Sequence, residues 1–364
     1  MVNALLAQEL AKRHDVTVLT SQGLSLPPES IDGGVRVVRT PVFFRKHEAV
    51  ANLFSMLAFL PMGVRTGKKL FNADRYDVIN THFVLPTGPV GDALARSANI
   101  PNVLSLHGGD LYDPSKWLSP HRHPYLRTWV RRLLRRASTV VGQSRNTLDN
   151  MRRYYTPEIQ GVQIPLGIRR PPAARGVRSH YGWHESDILL VTVGRLVARK
   201  GLPQLIRVMA ALGNPKVRLL IMGTGPQEQL LKEEVGKQHL APQILFLGYV
   251  DEAEKFRILQ MCDLYVSTSQ HEGFGLVFLE AMACGLPIIC YDHGGQTDFL
   301  CDQLTGYLIP LNDTALFEER CALLVSDVGL RQSMGAYSRR RVEEYYIDRC
   351  AERYESLFER VVRG

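Results

Sequence analysis

The sequence has no apolar run long enough to cross a membrane. Its nearest candidate, Ala49 to Met62, is shorter than the roughly 18–20 residues that a spanning helix needs, and an asparagine and a proline interrupt it. A secretory leader is also lacking, because the first residues follow the spacing of an amphipathic helix whose apolar positions are Val2, Leu5, Leu6 and Leu10. These features predict a cytoplasmic protein.

Patterns of disulfide and metal ligands are scarce as well. The six cysteines all lie in the last third of the chain, and none forms a C-x-x-C pair. They are Cys262, Cys284, Cys290, Cys301, Cys321 and Cys350. No Asp-x-Asp occurs anywhere in the chain. The pattern predicts reduced thiols rather than disulfides or zinc, and no metal site.

Two common nucleotide fingerprints are missing. Gly223 and Gly225 begin a G-x-G pattern, but Glu228 occupies the position of its third glycine, and no acidic ribose ligand follows in the expected context. No P-loop sequence is present. The sequence therefore argues against an NAD-binding domain and against a P-loop nucleotidase.

Charge is distributed unevenly. Residues 1–170 carry 23 Lys and Arg against 12 Asp and Glu, a net +11, whereas the remainder is slightly acidic at −3, which together give the total of +8. Five arginines surround an apolar stripe and form a basic amphipathic segment: Arg127, Arg131, Arg132, Arg135 and Arg136. Two interpretations remain open, a solvated arginine face or a peripheral contact with an acidic membrane surface. Nucleic acid is not predicted, because no recognition motif accompanies the charge.

Strand-like and helical segments alternate throughout the 364 residues, which predicts two α/β domains with parallel sheets. The predicted strands include residues 139–142, 188–193, 217–222 and 264–267, and the predicted helices include 200–212, 227–240 and a tail over 340–362. We place the N-terminal domain at residues 1–170, a proline-containing linker at 171–186 and the C-terminal domain at 187–345. Residues 346–364 are predicted as a helix that returns to the N-terminal domain.

Polar or glycine-rich loops follow several predicted strands at their carboxyl ends, where ligands of such sheets collect. These loops are 107–110, 194–201, 223–226 and 294–295. We expect them to line one cleft between the two domains.

The most informative stretch runs from Glu272 to Glu280, two acids eight residues apart that bracket Gly273, Phe274 and Gly275. The glycines permit a sharp turn and close approach of a ligand, and a helix that opens near Gly275 would direct its first N–H groups at a phosphate. Taken singly, Glu272 is equally compatible with a helix cap and Glu280 with an exposed helix position.

Other polar residues gain meaning from their position. Arg195 and Lys200 flank a loop between a strand and a helix, where two cations suit a diphosphate. His107 precedes Gly108, Gly109 and Asp110 at the end of a strand, and three roles remain open for it: general acid or base, metal ligand, or packed loop histidine.

Taken together, these motifs resemble the family 4 (group 1) retaining glycosyltransferases of the GT-B fold, over nearly the whole chain and most strongly from Leu189 to Pro310. The resemblance implies two Rossmann-like, doubly wound parallel-sheet domains that face a central cleft, with the acceptor on the N-terminal side and a nucleotide diphosphate sugar as co-substrate on the C-terminal side. No cofactor and no metal are implied.

The same resemblance assigns roles to residues. Four would be catalytic: His107, Glu272, Arg195 and Lys200. The donor-binding set would be Gly194, Arg195, Lys200, Gly223, Gly225, Glu272, Gly273, Phe274, Gly275, Leu276 and Glu280, with Glu280 on the ribose and the two cations on the diphosphate. His82, Gly108 and Asp110 would lie on the acceptor side, near the loop of residues 80–88. The acceptor itself is not readable, and a lipid-linked or anionic molecule is one expectation.

Enzymes of this family keep the anomeric configuration, and their leaving phosphate is usually described as accepting the acceptor's proton. One departure is that family members begin with a strand and a glycine-rich loop that this sequence lacks, and in the doubly wound order that strand would lie between the strands near residues 16–19 and 78–80. Two other functions therefore stay open, a nucleotide-sugar epimerase of the same architecture and a shortened, non-catalytic sugar-nucleotide-binding protein.

Overall fold

The protein is described by a computed structural model that covers residues 2–43, 53–113, 117–173 and 176–364. Part of the apolar run from Ala49 to Met62 and two residues of the predicted linker lie outside these ranges. The chain forms two compact units. Unit 1 consists of Met1–Gly167 together with Ile347–Gly364, and unit 2 consists of Ile168–Tyr346.

Unit 1 contains seven strands among its described residues: β1 (Thr17–Ser21), β2 (Glu29–Asp32), β3 (Val35–Thr40), β4 (Ile79–His82), β5 (Asn102–Leu106), β6 (Thr139–Gly142) and β7 (Val162–Gln163). Its helices are α1 (Val2–Leu10), α2 (Leu53–Ala73), α3 (Gly88–Ala98), α4 (Pro124–Arg136), α5 (Arg145–Tyr154) and the C-terminal Ile347–Arg363.

The strands of unit 1 form two sheets. One has the order β1-β3-β2 and the other the order β4-β5-β6-β7. All pairs are parallel except β2 with β3. Among the residues that the structure describes, β1 and β4 each have a strand neighbour on one side only.

Helices cover both faces of the four-stranded sheet. On one face, α4 and α5 bury Val130, Leu134 and Met151 against β5 and β6. On the other face, Leu6 of α1 packs with Tyr354 of the C-terminal helix against the same strands. Because side chains alternate along a strand, the buried strands β5 and β6 supply apolar groups to both layers.

Unit 2 has six described strands: β8 (Ile188–Val193), β9 (Val217–Met222), β10 (Ile244–Gly248), β11 (Leu264–Ser267), β12 (Ile288–Tyr291) and β13 (Gly306–Ile309). Its helices are α6 (Leu202–Leu212), α7 (Glu228–Lys237), α8 (Glu252–Met261), α9 (Leu276–Ala283), α10 (Thr314–Ser326) and α11 (Val328–Arg341). The C-terminal helix of unit 1, Ile347–Arg363, is accordingly α12.

The sheet of unit 2 is wholly parallel, with the strand order β10-β9-β8-β11-β12-β13. This is the doubly wound order that runs outward in both directions from its first strand, so the switch point lies between β8 and β11. The central strands are apolar and fully buried, as expected for a parallel sheet with helices on both faces. Ligands of such sheets bind at the carboxyl ends beside the switch point.

The residues predicted as a linker, 171–186, differ from that prediction. The described part of this segment packs on unit 2, where Gly176 N donates to Arg257 O at 3.0 Å and Arg178 pairs with Asp263 at 2.9 Å. Arg178 also donates to the carbonyl of Met261. The units therefore divide at residues 167/168 and 346/347, because the polar side chains of this segment find partners at the end of α8.

None of the helices in the described ranges is both long and apolar enough to span a membrane. All six cysteines are free thiols. Burial raises the pKa of the Cys284, Cys321 and Cys350 thiols to about 12, so these groups stay protonated at neutral pH.

Candidate active site

Four loops meet at the carboxyl edge of the unit 2 sheet, in the same order as their strands. The loop after β9 contacts the loop after β8, where Leu196 N donates to Thr224 O at 2.9 Å. The loop after β8 contacts the loop after β11, where Gln270 N donates to Arg199 O at 2.7 Å. The loop after β11 contacts the loop after β12, where Gly295 N donates to Glu272 O at 2.8 Å. These contacts place the predicted donor-binding loops of unit 2 in one continuous row.

Close backbone approach explains two of the glycines in this row. A Cβ atom at Gly223 would collide with the carbonyl oxygen of Gly194, and one at Gly295 would collide with that of Gly273. A side chain at either position would push neighbouring loops apart. Gly194, Gly223, Gly225 and Gly273, which the sequence assigned to donor binding, are therefore parts of the loop packing.

Lys200, Arg199 and Glu272 form a charged cluster at the centre of the row. Lys200 Nζ lies 2.5 Å from Glu272 Oε1, and Arg199 lies 3.5 Å from Glu272 Oε2. Burial raises the pKa of Glu272, but the charges of Lys200 and Arg199 outweigh it, so that its pKa lies below the usual value. Glu272 is thus an anion at neutral pH, held between two cations. It does not cap α9, since Gly275 occupies the N-cap position and no side chain caps it.

Arg195 differs from these partners because its side chain is exposed and has no hydrogen-bond or ion-pair partner among the described residues. It lines a narrow pocket with Lys200 and Gly194 at the ends of β8, β9 and β11. Thr192 and Ser267 also line this pocket. Arg195 and Lys200 thus line the same pocket of unit 2, and their role as ligands of a diphosphate stays a prediction.

Helix α9 begins directly beside the cluster. Gly275 is its N-cap residue, with a left-handed φ of 89°, and Leu276 is its first helical residue. The first N–H groups of α9 are therefore available to an anion, with the positive end of the helix dipole. Phe274 turns inward, is 3% exposed and packs on Phe299 at 5.2 Å between ring centroids, so only its backbone can meet a ligand.

Glu280 lies inside α9 and is 6% exposed, which overturns the alternative of an exposed helix position. Its Oε1 accepts from Lys255 Nζ at 2.6 Å. Its Oε2 is buried and has no hydrogen-bond partner among the residues that the structure describes. Burial raises the pKa of Glu280, and the opposing charge of Lys255 offsets only part of that rise. A buried carboxylate oxygen without a donor is costly, so this atom is suited to accept from a ligand hydroxyl.

In unit 1, the predicted residues gather at the ends of β4 and β5. His82 Nδ1 lies 3.0 Å from His107 Nε2, and the ring of Phe83 stacks on His107 at 4.1 Å. Burial lowers the pKa of His107 to about 4, and burial together with His107 lowers the pKa of His82 to about 3. Both rings are therefore neutral at pH 7 and act through hydrogen bonds rather than charge.

Asp110 joins the two loops of this histidine pair. Its Oδ1 accepts from His107 N at 3.0 Å and its Oδ2 accepts from Val84 N at 2.7 Å. Gly108, with a left-handed φ of 78°, makes the turn that brings the Asp110 carboxylate back to His107. Asp110 and Gly108, predicted on the acceptor side, thus also shape the loop that carries His107.

Two residues of the unit 2 site were not predicted from the sequence, Arg199 and Lys255. Arg199 adjoins Lys200, and its spacing gave no sign that it faces Glu272. Lys255 lies on α8, 25 residues before Glu280 in the chain, and only the packing of α8 on α9 brings the two together. No local pattern could have identified this pair.

The structure accounts for most of the basic segment that the sequence singled out. All but one of its five arginines bind protein groups within unit 1. The contacts are Arg127 to Tyr154 O, Arg131 to Tyr155 O, Arg135 to Glu158 and Arg136 to Asp92. These bonds favour the interpretation of a structural, solvated arginine face, and membrane contact stays a prediction.

One His-x-x-x-His spacing occurs, from His180 to His184, but it spans a 3₁₀ turn and the left-handed Gly182 rather than one turn of an α-helix. Across the described ranges, no three His, Cys, Asp or Glu side chains are grouped as a metal ligand set.

Two sequence families match the chain, one for each unit. Residues 2–167 match the glycosyl transferase 4-like domain, and residues 177–341 match the glycosyl transferases group 1 family. A similar curated protein is the N-acetyl-alpha-D-glucosaminyl L-malate synthase of Bacillus anthracis, 26% identical over 100% of this chain and 94% of the relative. These matches are to transferases, and they do not favour the epimerase or the binding-protein interpretation.

Solved structures share the fold. The sucrose-phosphate synthase of Thermosynechococcus elongatus superposes with a TM-score of 0.83 at 23% identity, over 98% of this chain and 91% of that one. HepE of Anabaena, solved in complex with UDP and glucose, superposes with a TM-score of 0.75 at 18% identity, over 98% and 95% of the two chains. With a glycosyl transferase family matching each unit, the chain is a glycosyltransferase whose unit 2 matches group 1, and it is built from two parallel-sheet α/β domains of the GT-B architecture.

Proposed function

We propose that the enzyme transfers a glycosyl group from a nucleotide diphosphate sugar to an acceptor hydroxyl, with retention of the anomeric configuration and without a metal. The observation that carries the proposal is the row of four loops that gathers Arg195, Arg199, Lys200 and Glu272 at the N-terminus of α9. Three cations against one carboxylate leave a net positive site, which suits a diphosphate.

The buried Oε2 atom of Glu280 supports a nucleotide in this site. It lies on the helix whose N-terminus would meet the diphosphate, and no group in the described part of the chain donates to it. The ribose of a nucleotide is bonded directly to the diphosphate, and one of its free hydroxyls could donate to this oxygen. Lys255 binds the other carboxylate oxygen, where its charge favours the ionised form of Glu280 and its hydrogen bond orients the side chain.

The chemistry follows from where charge develops. Breaking the bond between the anomeric carbon and the phosphate oxygen leaves positive charge on the sugar and negative charge on the diphosphate. Arg195, Lys200 and the α9 amides would stabilise the diphosphate, which is the role that a metal ion plays in other transferases. The family resemblance supports retention, with the leaving phosphate taking the proton of the acceptor hydroxyl.

Unit 1 would present the acceptor, with His107 and His82 at the ends of β4 and β5. Gly108 and Asp110 would shape the loop around it. Neutral His107 can hydrogen-bond a sugar hydroxyl without carrying charge to the site. In HepE, a protein of the same fold, UDP and glucose bind together, which supports a nucleotide sugar donor here.

The direct test offers the enzyme sugar donors of UDP, GDP and ADP and measures nucleotide release with and without candidate acceptors. We expect release from one donor family that rises with acceptor, and an α-linked product from an α-linked donor by NMR. An inverted product would overturn retention, and activity abolished by EDTA and restored by a divalent cation would overturn metal independence. Failure to bind or cleave any of these donors by a folded protein would contradict the proposal itself.

A second test concerns the nucleotide alone. Glu280→Gln keeps the shape of the side chain but weakens the acceptor of the ribose hydroxyl, so nucleotide binding should weaken at least tenfold, consistent with about 1.5–3 kcal/mol for a hydrogen bond to a charged group. Calorimetric titration with the matching nucleoside diphosphate measures this. The control Glu233→Gln, on an exposed face of α7, should bind as the wild type does. Equal affinity of Glu280→Gln and wild type would remove Glu280 from the site.

A further inference from the structure

Five side chains of unit 1 form an unbroken hydrogen-bonded chain that ends at His107. Tyr354 Oη lies 3.0 Å from Ser105 Oγ, and Ser105 Oγ lies 2.8 Å from Asn80 Oδ1. Asn80 Nδ2 lies 3.2 Å from His82 Nε2, and His82 Nδ1 lies 3.0 Å from His107 Nε2. We call these five residues the histidine relay.

The buried end of the histidine relay determines which group donates in each of its hydrogen bonds. Tyr354 and Ser105 are each 2% exposed, and Ser105 is the only hydrogen-bond partner of the Tyr354 hydroxyl among the described residues. If Ser105 donated to Tyr354, the tyrosine proton would be buried without an acceptor, at a cost of about 1–3 kcal/mol. Tyr354 therefore donates to Ser105, and the Ser105 proton goes to its remaining neighbour, Asn80.

The donor and the acceptor at each following group of the histidine relay can then be assigned in turn. Because Asn80 Oδ1 accepts from Ser105, its Nδ2 amide faces His82 and donates to Nε2. A neutral imidazole carries one N–H, so His82 holds its proton on Nδ1 and donates it to His107 Nε2. His107 must in turn hold its own proton on Nδ1.

We propose that the histidine relay fixes His107 as the Nδ1–H tautomer, so that His107 offers a substrate oxygen a hydrogen-bond donor and does not act as a general base. His107 Nδ1 has no hydrogen-bond partner among the described residues, so it is the ring atom open to a ligand. Asn80, His82, Ser105 and Tyr354 are positioning residues in this scheme. The part that concerns substrate rests on the proposed transferase function.

Two further observations support this assignment. Burial lowers the pKa of both histidines, to about 3 for His82 and about 4 for His107. Each ring therefore carries a single N–H proton at pH 7, which can lie on either Nδ1 or Nε2. Contacts with neighbouring residues also hold the ring and the backbone of His107 in place. Phe83 stacks on the ring, Gln143 Nε2 donates to His107 O at 2.7 Å, and His107 N donates to Asp110.

The tautomer can be measured without any assay of activity. Nitrogen NMR of the full chain, labelled with ¹⁵N-histidine, distinguishes protonated ring nitrogens from unprotonated ones, and single His→Gln variants assign the signals. We expect Nδ1 protonated and Nε2 unprotonated in both His82 and His107 at pH 7. A proton on His107 Nε2, or fast exchange between the two tautomers, would overturn the relay whether or not the protein proves to be a transferase.

Asn80→Asp reverses the relay while keeping the shape of the side chain. A carboxylate can only accept, so it draws the His82 proton to Nε2, and a neutral His82 then accepts from His107 Nε2–H. We expect the His107 proton to move off Nδ1 and kcat to fall by about a hundredfold, the usual loss for one such donor, with little change in the KM for the nucleotide sugar. The comparison is made at a pH where NMR shows His82 to be neutral.

Asn150→Asp is the matched control, because it makes the same charge change on α5 of the same unit away from the histidines. Its histidine spectrum and its kcat should equal those of the wild type. An Asn80→Asp variant whose tautomers stay unchanged would contradict the relay. A variant whose tautomers reverse while kcat holds would contradict the donor role of His107. The wild-type spectrum decides the tautomer even if Asn80→Asp does not fold.

Discussion

At the residue scale, the two predicted diphosphate ligands, Arg195 and Lys200, differ in whether they also contribute to the stability of the fold. Arg195 is exposed and without a partner in the described ranges, so Arg195→Ala should leave the free energy of unfolding within about 0.5 kcal/mol of wild type. Turnover should still fall by about a hundredfold, because the arginine would stabilise charge in the transition state. Steady-state kinetics and urea unfolding of the same preparation measure both quantities.

Lys200→Met should instead affect stability as well as turnover. It removes the cation 2.5 Å from a nearly buried Glu272 and leaves only Arg199 at 3.5 Å, so we expect a loss of up to about 3 kcal/mol. If Lys200→Met unfolds at the wild-type urea concentration, the ion pair is not structural. If Arg195→Ala keeps full turnover, Arg195 is not a phosphate ligand.

The two neutral histidines also make stability depend on pH. Their folded pKa values of about 3 and about 4 lie below the ordinary value of 6.5. As the pH falls from 6.5 towards 4, the unfolded chain binds protons that the folded rings do not, so the free energy of unfolding decreases. Each ring contributes at most about 1.4 kcal/mol per pH unit to this decline.

Urea unfolding between pH 7 and pH 5 measures that decline. The His107→Gln variant should lose stability less steeply than wild type over this range, because one titrating ring is gone. Parallel slopes for the two proteins would show that the His107 pKa is not lowered by folding.

At the element scale, the row of loops depends on glycines where backbones touch. A Cβ at Gly295 would collide with Gly273 O, so Gly295→Ala should separate the loops after β11 and β12, lower stability by about 1–3 kcal/mol and reduce turnover. Gly236 lies in α7 with no atom within 4 Å of an added Cβ. Gly236→Ala should therefore stabilise the protein by about 0.5–1 kcal/mol with no effect on turnover. Thermal melts and kinetics test the pair, and equal effects of the two changes would contradict the packing argument.

The sequence was most informative where a strand is apolar along its whole length. The predicted strands 139–142, 188–193, 217–222 and 264–267 agree with the structure residue for residue. The strands β2, β7 and β13 were not predicted. β2 is an edge strand whose residues are mostly exposed, and β7 has only two residues, so neither shows a period of burial.

Helix ends depend on single backbone conformations that composition does not reveal. The helix predicted for residues 227–240 stops at Lys237, because His239 adopts a left-handed φ of 55° that an α-helix cannot include. The helix predicted to begin at Lys200 begins at Leu202, since Gly201 is left-handed as well. The tail predicted as one helix over residues 340–362, with a break near Ile347 and Asp348 as the alternative, is broken at that place, because α11 ends at Arg341 and α12 begins at Ile347.

Some residues of the site could be predicted from the order of the strands, whereas others depend on how the helices pack. Loops at the carboxyl ends of parallel strands could be predicted to meet, and Arg195, Lys200 and Glu272 do lie in adjoining loops. The partners Lys255 and Tyr354 come from helices whose docking no local pattern encodes. Burial of Glu280 was missed for the same reason, because α9 is apolar on nearly every face and hides an acid among its buried positions.

At the scale of the whole molecule, the chain passes from unit 1 to unit 2 and back. Unit 2 is continuous from Ile168 to Tyr346, whereas unit 1 needs both ends of the chain. A fragment of residues 168–346 should therefore fold by itself. A fragment of residues 1–167 lacks α12 and the buried side chains it packs beside α1, namely Cys350, Ala351, Tyr354 and Leu357, so it should not unfold cooperatively.

Circular dichroism and thermal melts of the two fragments test this expectation. Adding a synthetic α12 peptide to the 1–167 fragment should restore a cooperative transition. A fragment of residues 1–167 that melts as sharply alone as with the peptide would show that α12 is dispensable for unit 1.

The placement of α12 also has a consequence during synthesis. The ribosome makes β4 and β5 early, but the helix that carries Tyr354 leaves the exit tunnel only after all of unit 2. In the proposed relay, the hydroxyl that orients His107 through Ser105 is thus added only after unit 2 has been made. A chain that stops before α12 would contain all of unit 2 but would lack the Tyr354 hydroxyl beside Ser105, so the proposed setting of the His107 proton would follow, and never precede, the synthesis of unit 2.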